Sequence, residues 1–211
     1  QRPDGGDITA LHSVLVTAIC AHAARGFKWS EERTRDFLLG AFLHDVGMVF
    51  LTGTKIDEAR ALRSEERLEL QSHTRLGCAL IAATGEWDEQ VSFAARDHHE
   101  RWNGSGYPAG KRGAAVDFPA RLLGLLDTYA ALLESRPHRD ALDPAFARER
   151  LTKAMELGLF DPSLQPFIAE KLPAIHLIGV TRSDVPETLE RRRNSIEMRG
   201  ELVTMLAKGS T

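Results

Sequence analysis

Apolar residues in this 211-residue chain recur at intervals of three and four, and no run of alternating β-branched residues is long enough to make a convincing strand. That periodicity commits the chain to an all-α architecture. Asp7 is placed to N-cap a first helix carrying Ile8, Leu11, Leu15 and Ile19 on one face and ending near Gly26. Ser30, with Glu31 and Glu32 complementing the helix dipole, opens a second. Its stripe is Phe37, Leu38, Ala41 and Phe42, and it runs into His44-Asp45. Residues 52–63 read as a connecting segment. A helix from about Ser64 carries Leu68, His73, Leu76 and Leu80, and another from near Asp88 runs through Val91, Ala94 and Ala95 to His98-His99. A loop rich in Gly and Pro follows, WNGSGYPAGKRGAAVDFP. Pro119 suits the first turn of the next helix, which continues through Leu122, Leu126, Asp127 and Leu133. Two more helices are expected over Pro144 to Gly158 and Pro162 to Leu172, then a break, then a charged helix from about Pro186 to Lys208. The expected organisation is one domain over residues 1–172 and a C-terminal extension over 173–211.

Composition narrows the function classes. Hydrophobic content of 43%, charged content of 27% and a net charge of −3 are ordinary for a soluble domain, and bulk electrostatics give no reason to expect a nucleic-acid or membrane-surface binder. The run Arg191 to Arg193 reads as a solvated helix face. Cys20 and Cys78 form no CxxC pair and read as small core residues in a reducing compartment, so a cytoplasmic location is expected. No apolar run approaches a membrane span and no secretory leader is visible. Because the chain begins at Gln1 rather than Met, it is expected to be trimmed from a longer protein, with a sensory or receiver domain ahead of it. Leu189, Ile196, Leu202, Val203 and Leu206 give residues 186–208 an intermittent apolar stripe, which either packs back on its own domain or pairs with a second copy. A homodimer through that helix is the expectation.

The chemistry-bearing residues are His12, His44-Asp45, His73, His98-His99 and Asp127, each on or at the end of an expected helix. Imidazole nitrogen and carboxylate oxygen suit Fe, Mn, Zn or Ni. Six or seven such groups are too many for one tetrahedral ion, but they suit two ions sharing a carboxylate. Two ions a few Å apart can activate a water and clamp a phosphate, the two-metal route to phosphoester hydrolysis. A lone His on a helix is more often packed than a ligand, and His22 and His176 are read that way. The adjacent pair His98-His99 carries more weight.

The stretches HSVLVTAICAHA and LLGAFLHDVGM, the latter holding His44-Asp45, resemble the HD superfamily of metal phosphohydrolases. HHERWNGSGYP, residues 98–108, resembles the HD-GYP subfamily, whose pattern is HHE followed by GxGYP. QSHTRLG, ARLLGLLDTYAALLESRPHR and LFDPSLQPFI are similar to further subfamily segments in the same order, so the resemblance covers roughly residues 8–172. It implies an HD-type helical bundle with additional C-terminal helices. It implies metal ligands at His12, His44, Asp45, His73, His98, His99 and Asp127, with Asp45 bridging two ions and His44 and Asp45 in the catalytic centre. The family hydrolyses cyclic di-GMP, a bacterial second messenger, to the linear dinucleotide or GMP, commonly with iron or manganese; zinc and nickel also suit the ligand set. The resemblance further places Gly104, Gly106, Tyr107, Arg121, Arg136 and position 48 beside the substrate. The residue types agree: glycines adopt positive φ and expose N–H groups to an anion, Tyr107 can stack on guanine, and arginines offer forked donors to a phosphodiester.

Several positions depart from the family pattern. The usual HDxGK reads His44-Asp-Val-Gly-Met48, so a lysine that would face the substrate phosphate is a thioether. Asn103 stands where Asp is usual in DGxGYP, Ala130 replaces the second Asp of DxYDAL, and His138 replaces the Tyr of RPYR. Members with a third metal carry a Glu at the position of Ile8, so two metals are expected here. Three functions follow: a cyclic di-GMP phosphodiesterase; a weakened module that binds metal and nucleotide and signals through protein partners; or a phosphohydrolase of another nucleotide.

Overall fold

Short polar residues cap three of the helix starts. In the computed structural model Ser30, Asp88 and Asp143 each turn a side-chain oxygen onto a backbone N–H of the following turn, at 3.2, 2.8 and 2.8 Å, and so open α2 (Glu31–Leu43), α5 (Glu89–Asp97) and α7 (Pro144–Glu156). The structure describes residues 5–51, 62–135, 140–170 and 172, with side chains from residue 10 onward. The other helices are α1 (Gly5–Ala24), α3 (Ser64–Gln71), α4 (His73–Thr84), α6 (Phe118–Leu133) and α8 (Gln165–Glu170). Among the described residues there is no strand, as the periodicity requires, and no helix long and apolar enough to cross a membrane. The C-terminal extension, its expected charged helix and the homodimer assigned to it lie outside the described residues, as does most of the connecting segment 52–63.

The core is organised on α6. Leu122, Leu123, Leu125, Leu126, Tyr129 and Ala130 are all fully buried, and they pack with Val16, Ile19 and Cys20 of α1, Phe37 and Ala41 of α2, and Ala147 and Leu151 of α7. Each such leucine contributes ~1.5–3 kcal/mol by leaving water. A smaller cluster of Ile81, Val91 and Ala95, with Leu39, Leu43 and Val46 against it, joins α4 and α5 to the end of α2. Gly40 lets α2 lie close on α5, since a Cβ there would come within 2.7 Å of the Ala94 Cβ.

Four expectations are corrected. The first helix begins at Gly5, so Asp7 lies inside its first turn and is not its cap. Its buried face is His12, Ser13, Val16, Ile19 and Cys20, with Leu11 exposed, because the stripe rotates to point His12 inward. Likewise α2 buries Phe37, Gly40 and Ala41 and exposes Phe42. The helix expected from Ser64 is two: Ser72 closes α3, its hydroxyl donating to the Glu69 carbonyl at 2.6 Å, and α4 restarts at His73. The buried face of α4 is His73, Thr74, Gly77 and Ile81, while Leu68, Leu76 and Leu80 face solvent. Finally, Pro162–Leu164 is a 3-10 turn that leads into α8, not the first turn of one helix.

Candidate metal centre

The seven expected ligands come from five helices and meet at one place. His12 projects from α1; His44 caps the end of α2 and Asp45 follows it; His73 begins α4; His98 caps α5 and His99 follows; Asp127 lies in α6. They fall into two groups, Asp45 with His73, His98 and His99, and His12 with His44 and Asp127. Within each, one nitrogen or oxygen per residue lies within 4.8 Å of all the others.

Asp45 faces both groups. Its Oδ1 stands 3.3 Å from His73 Nε2 and 3.7 Å from His98 Nε2, and its Oδ2 stands 3.3 Å from His44 Nε2. Atoms bonded to one ion at about 2.0–2.2 Å stand roughly 3–3.5 Å apart, so the 3.3 Å separations of Asp45 from His73 and His44 suit ligands about a cation.

The histidines are set to offer the right nitrogen. His44, His73 and His98 each place Nδ1 against the carbonyl three residues back, Ala41 at 2.7 Å, Leu70 at 2.5 Å and Ala95 at 2.9 Å. Nδ1 must be the donor to a carbonyl, which leaves the Nε2 lone pair pointing into the cluster. Those three Nε2 atoms are buried and have no hydrogen-bond partner among the described residues. An orphaned buried polar atom costs about 1–3 kcal/mol, and three converging on one point fit a cation.

His12 differs: Nε2 pairs with Asp127 Oδ1 at 2.8 Å and Nδ1 with Glu134 Oε2 at 2.9 Å. Burial alone would lower its pKa, but the hydrogen bonds and charges of Asp127 and Glu134 prevail and push it up to about 10. His98 and His99 are held well below the ordinary value, first by burial and then by neighbouring histidines. Burial opposes the charge on Asp45, yet the attraction of His44 and then of His98 and His73 keeps that carboxyl well below the usual range; Asp127 is lowered likewise through His12 and His44. Ionised carboxylates and neutral imidazoles are the forms that bind metals, so His98 and His99 are in that form, while His12 and His44, the latter raised by Asp45 and Asp127 against its burial, would give up a proton to an arriving ion.

The loop after His99 is folded over the group of Asp45, His73, His98 and His99. The Tyr107 ring stacks on His99, centroids 4.7 Å apart and planes 29° from parallel, and the Tyr107 N–H donates to the His99 carbonyl at 3.2 Å. Glu100 is buried, and its carboxylate accepts from the N–H groups of Ala109 at 2.7 Å and Lys111 at 2.9 Å, tying the far side of the loop. Gly104 does take positive φ, 80°, but its N–H donates to the Arg101 carbonyl at 2.8 Å and is not free for an anion. Gly106 lacks positive φ; it is required because a Cβ there would come within 2.4 Å of the Arg101 nitrogen and the His99 oxygen.

The remaining expected substrate residues are placed less directly. Met48 is half-buried in the 3-10 turn Val46–Phe50, its N–H bonded to the Asp45 carbonyl at 2.9 Å. Arg121 pairs with Asp161, and its guanidinium lies over Trp102 and Phe118, 5.3 and 5.4 Å from the ring centroids. Those contacts hold the loop to the turn before α8 and lend a substrate role no support. Arg136 lies outside the described residues. Sequence reasoning passed over Glu134, Glu100 and Asp161. Glu100 is signalled by its place after His98-His99, and Glu134 by lying two helical turns beyond Asp127.

Fold and site together define a helical bundle with a His/Asp cluster whose groups could hold metal. The HD domain family matches residues 7–164, and the chain belongs to that family. It is 31% identical over 176 residues to the 3'3'-cGAMP-specific phosphodiesterase 1 of Vibrio cholerae, covering 83% of this chain and 40% of that protein. It is 32% identical over 162 residues to the cyclic di-GMP phosphodiesterase response regulator RpfG of Xanthomonas campestris, covering 75% of this chain and 42% of that one. The chain thus spans less than half the length of these curated relatives. Among solved structures, Bd1817, an HDG"Y"P protein from Bdellovibrio bacteriovorus, superposes with a TM-score of 0.62 over 80% of this chain and 51% of its own, at 20% identity. The PgpH HD domain of L. monocytogenes, in complex with cyclic-di-AMP, gives 0.61 over 82% and 92%, at 16% identity. At such identities these two establish the fold alone.

Proposed function

We propose that this chain is a metal-dependent phosphodiesterase that hydrolyses a cyclic dinucleotide, cyclic di-GMP in the first place, to the linear dinucleotide or GMP. The observation that carries the reading is Asp45, whose two oxygens each face a separate group of buried imidazole and carboxylate ligands. His73, His98 and His99 would hold one divalent ion, His12, His44 and Asp127 the other, with Asp45 shared and iron or manganese the metals. Such ions supply Lewis acidity toward phosphoryl oxygens and a nucleophile from water at neutral pH. The chain's own residues do the rest. Backbone carbonyls fix the histidine tautomers, so no reorganisation is needed when the ligands are used. Tyr107, held flat on His99, presents an aromatic edge to an arriving base and keeps the loop over the centre. The test is metal analysis of protein purified without oxygen, followed by cyclic di-GMP turnover on the same sample. Close to two transition metals per chain and a linear or mononucleotide product are expected. Reproducibly metal-free protein that refuses added ions overturns the proposal.

A second reading concerns the base. The V. cholerae relative at 31% identity is named for 3'3'-cGAMP, which favours including that dinucleotide as a substrate. Turnover of cyclic di-GMP and 3'3'-cGAMP side by side decides between them. Binding of both without turnover of either identifies instead a module that signals through partners, the outcome Met48 favours.

A further inference from the structure

Asp127 and Glu134 are seven residues apart, two turns of helix. Asp127 lies in α6 and Glu134 is its C-cap, where the backbone leaves the helical conformation at φ −95°, ψ 141°. That spacing brings both carboxylates to the same side of α6, toward α1. There they grip opposite edges of one ring: Asp127 Oδ1 on His12 Nε2 at 2.8 Å, Glu134 Oε2 on His12 Nδ1 at 2.9 Å. The three other histidines with a fixed Nδ1 use the carbonyl three residues back in their own segment. His12 instead turns Nδ1 to the Glu134 carboxylate, on a different helix. Glu134 is not in the His12, His44 and Asp127 group, because it meets the nitrogen facing away from that group.

We propose that Glu134 is a positioning residue for the centre: it fixes the tautomer and angle of His12 so that Nε2, and not Nδ1, serves the ion shared with His44 and Asp127. The inference rests on the two-metal reading above. A carboxylate is a stronger acceptor for Nδ1–H than a carbonyl, which makes His12 the more basic ligand of its group. The role needs only the acceptor oxygen and its position, so Glu134→Gln, which keeps a carbonyl oxygen there, retains part of it and Glu134→Ala none.

The test uses the full chain, stripped of metal and titrated with Mn2+ against a competing chelator, with far-ultraviolet circular dichroism to check the fold. Wild type is expected to take two ions. Glu134→Ala is expected to weaken one of them by about 10–100-fold and leave the other within a factor of three. Glu134→Gln is expected to recover most of the loss. In the zinc-loaded protein, proton NMR should show the His12 Nδ1–H as a downfield resonance that disappears in Glu134→Ala. Two ions at wild-type affinity in a folded Glu134→Ala, or equal weakening of both ions, overturns the role of Glu134 and leaves the metal reading standing. Wild type that binds no ion at all overturns both.

Discussion

Gly47 follows Asp45 by two residues, and the backbone of α4 lies against it with no room for a side chain. A Cβ at position 47 would lie 2.0 Å from the His73 carbonyl oxygen, 2.6 Å from the Gly77 nitrogen and 2.8 Å from the His73 carbonyl carbon. All three are backbone, so no rotamer change relieves them. A carbon–oxygen contact needs about 3.3 Å, and 3.3 − 2.0 leaves α4 to retreat by about 1.3 Å. His73 rides on that segment, 3.3 Å from Asp45 Oδ1, whereas a metal–ligand bond tolerates only about 0.2 Å. Gly47→Ala should therefore abolish binding of the ion assigned to Asp45, His73, His98 and His99. Overpacking of this kind costs ~1–3 kcal/mol, a fall in the metal-free Tm of about 2–12 °C for a domain of this size. Gly85→Ala is the control. It sits at φ 66° with nothing within 4 Å of a Cβ, so it meets only the left-handed backbone cost of ~1–2 kcal/mol. Its Tm should drop comparably while both ions stay bound. Thermal unfolding of metal-free protein and Mn2+ titration of the same samples measure the two effects. Wild-type metal affinity in Gly47→Ala, or metal loss in Gly85→Ala, would refute the coupling of the α4 approach to the centre.

Asp45→Ala should lose both ions and all turnover with helical content intact, since among the described residues Asp45 is the one carboxylate in its ligand group and also faces His44 of the other; retained turnover removes Asp45 from the mechanism. Met48→Lys should raise cyclic di-GMP hydrolysis about tenfold at unchanged metal content, a charge-assisted contact being worth ~1.5–3 kcal/mol; equal or lower turnover means position 48 does not face the phosphate. Metal-free stability should be bell-shaped in pH with its maximum near 6.5, the ordinary histidine value. His98 and His99, depressed by burial and by neighbouring histidines, are neutral when folded and take up protons on unfolding, so stability falls as pH drops below 6.5. His12, raised to about 10, holds a proton that the unfolded chain releases, so its contribution is complete below 6.5 and is lost as pH climbs toward 10. Urea midpoints from pH 5 to 9 that rise monotonically would contradict these assignments.

The all-helical class was legible because apolar spacing is a property of the whole chain, and the helix starts at Ser30 and Asp88 because capping is local chemistry. The faces were less legible. One residue turns a helix by about 100°, so a stripe read from apolar residues alone can settle one position off when a buried polar group claims the inside. That is what happens in α1, where His12 faces inward and Leu11 faces water. The break at Ser72 was invisible for a related reason: neither Gly nor Pro marks it, and the only local sign is a serine whose hydroxyl bonds back to Glu69. The residues that gather into the two groups were all readable, but the tautomers of His44, His73 and His98 depend on backbone carbonyls three residues back, and no residue identity encodes that.

Where this chain leaves the family pattern, the structure gives two of the changes a local cause. Asn103 donates its amide to the Leu157 carbonyl at 3.3 Å while its Oδ1 accepts from the Ser105 N–H at 3.0 Å and the Ser105 hydroxyl at 2.7 Å. An aspartate could accept the last two but could not donate the first, so the loop is fastened to the end of α7 by the very substitution that departs from DGxGYP. Ala130 is fully buried in α6 beside Tyr129, where an ionised carboxylate would need a buried partner. Met48 is half-buried one turn beyond His44, its N–H on the Asp45 carbonyl, and His138 lies outside the described residues. Asn103, Ala130 and Met48 are in neither ligand group. The changes at Asn103 and Ala130 therefore belong to the frame around the centre. If Met48 stands on the approach to the centre, as the proposed function has it, divergence from the relatives is expected in which dinucleotide is turned over and how fast, and not in the number of ions bound.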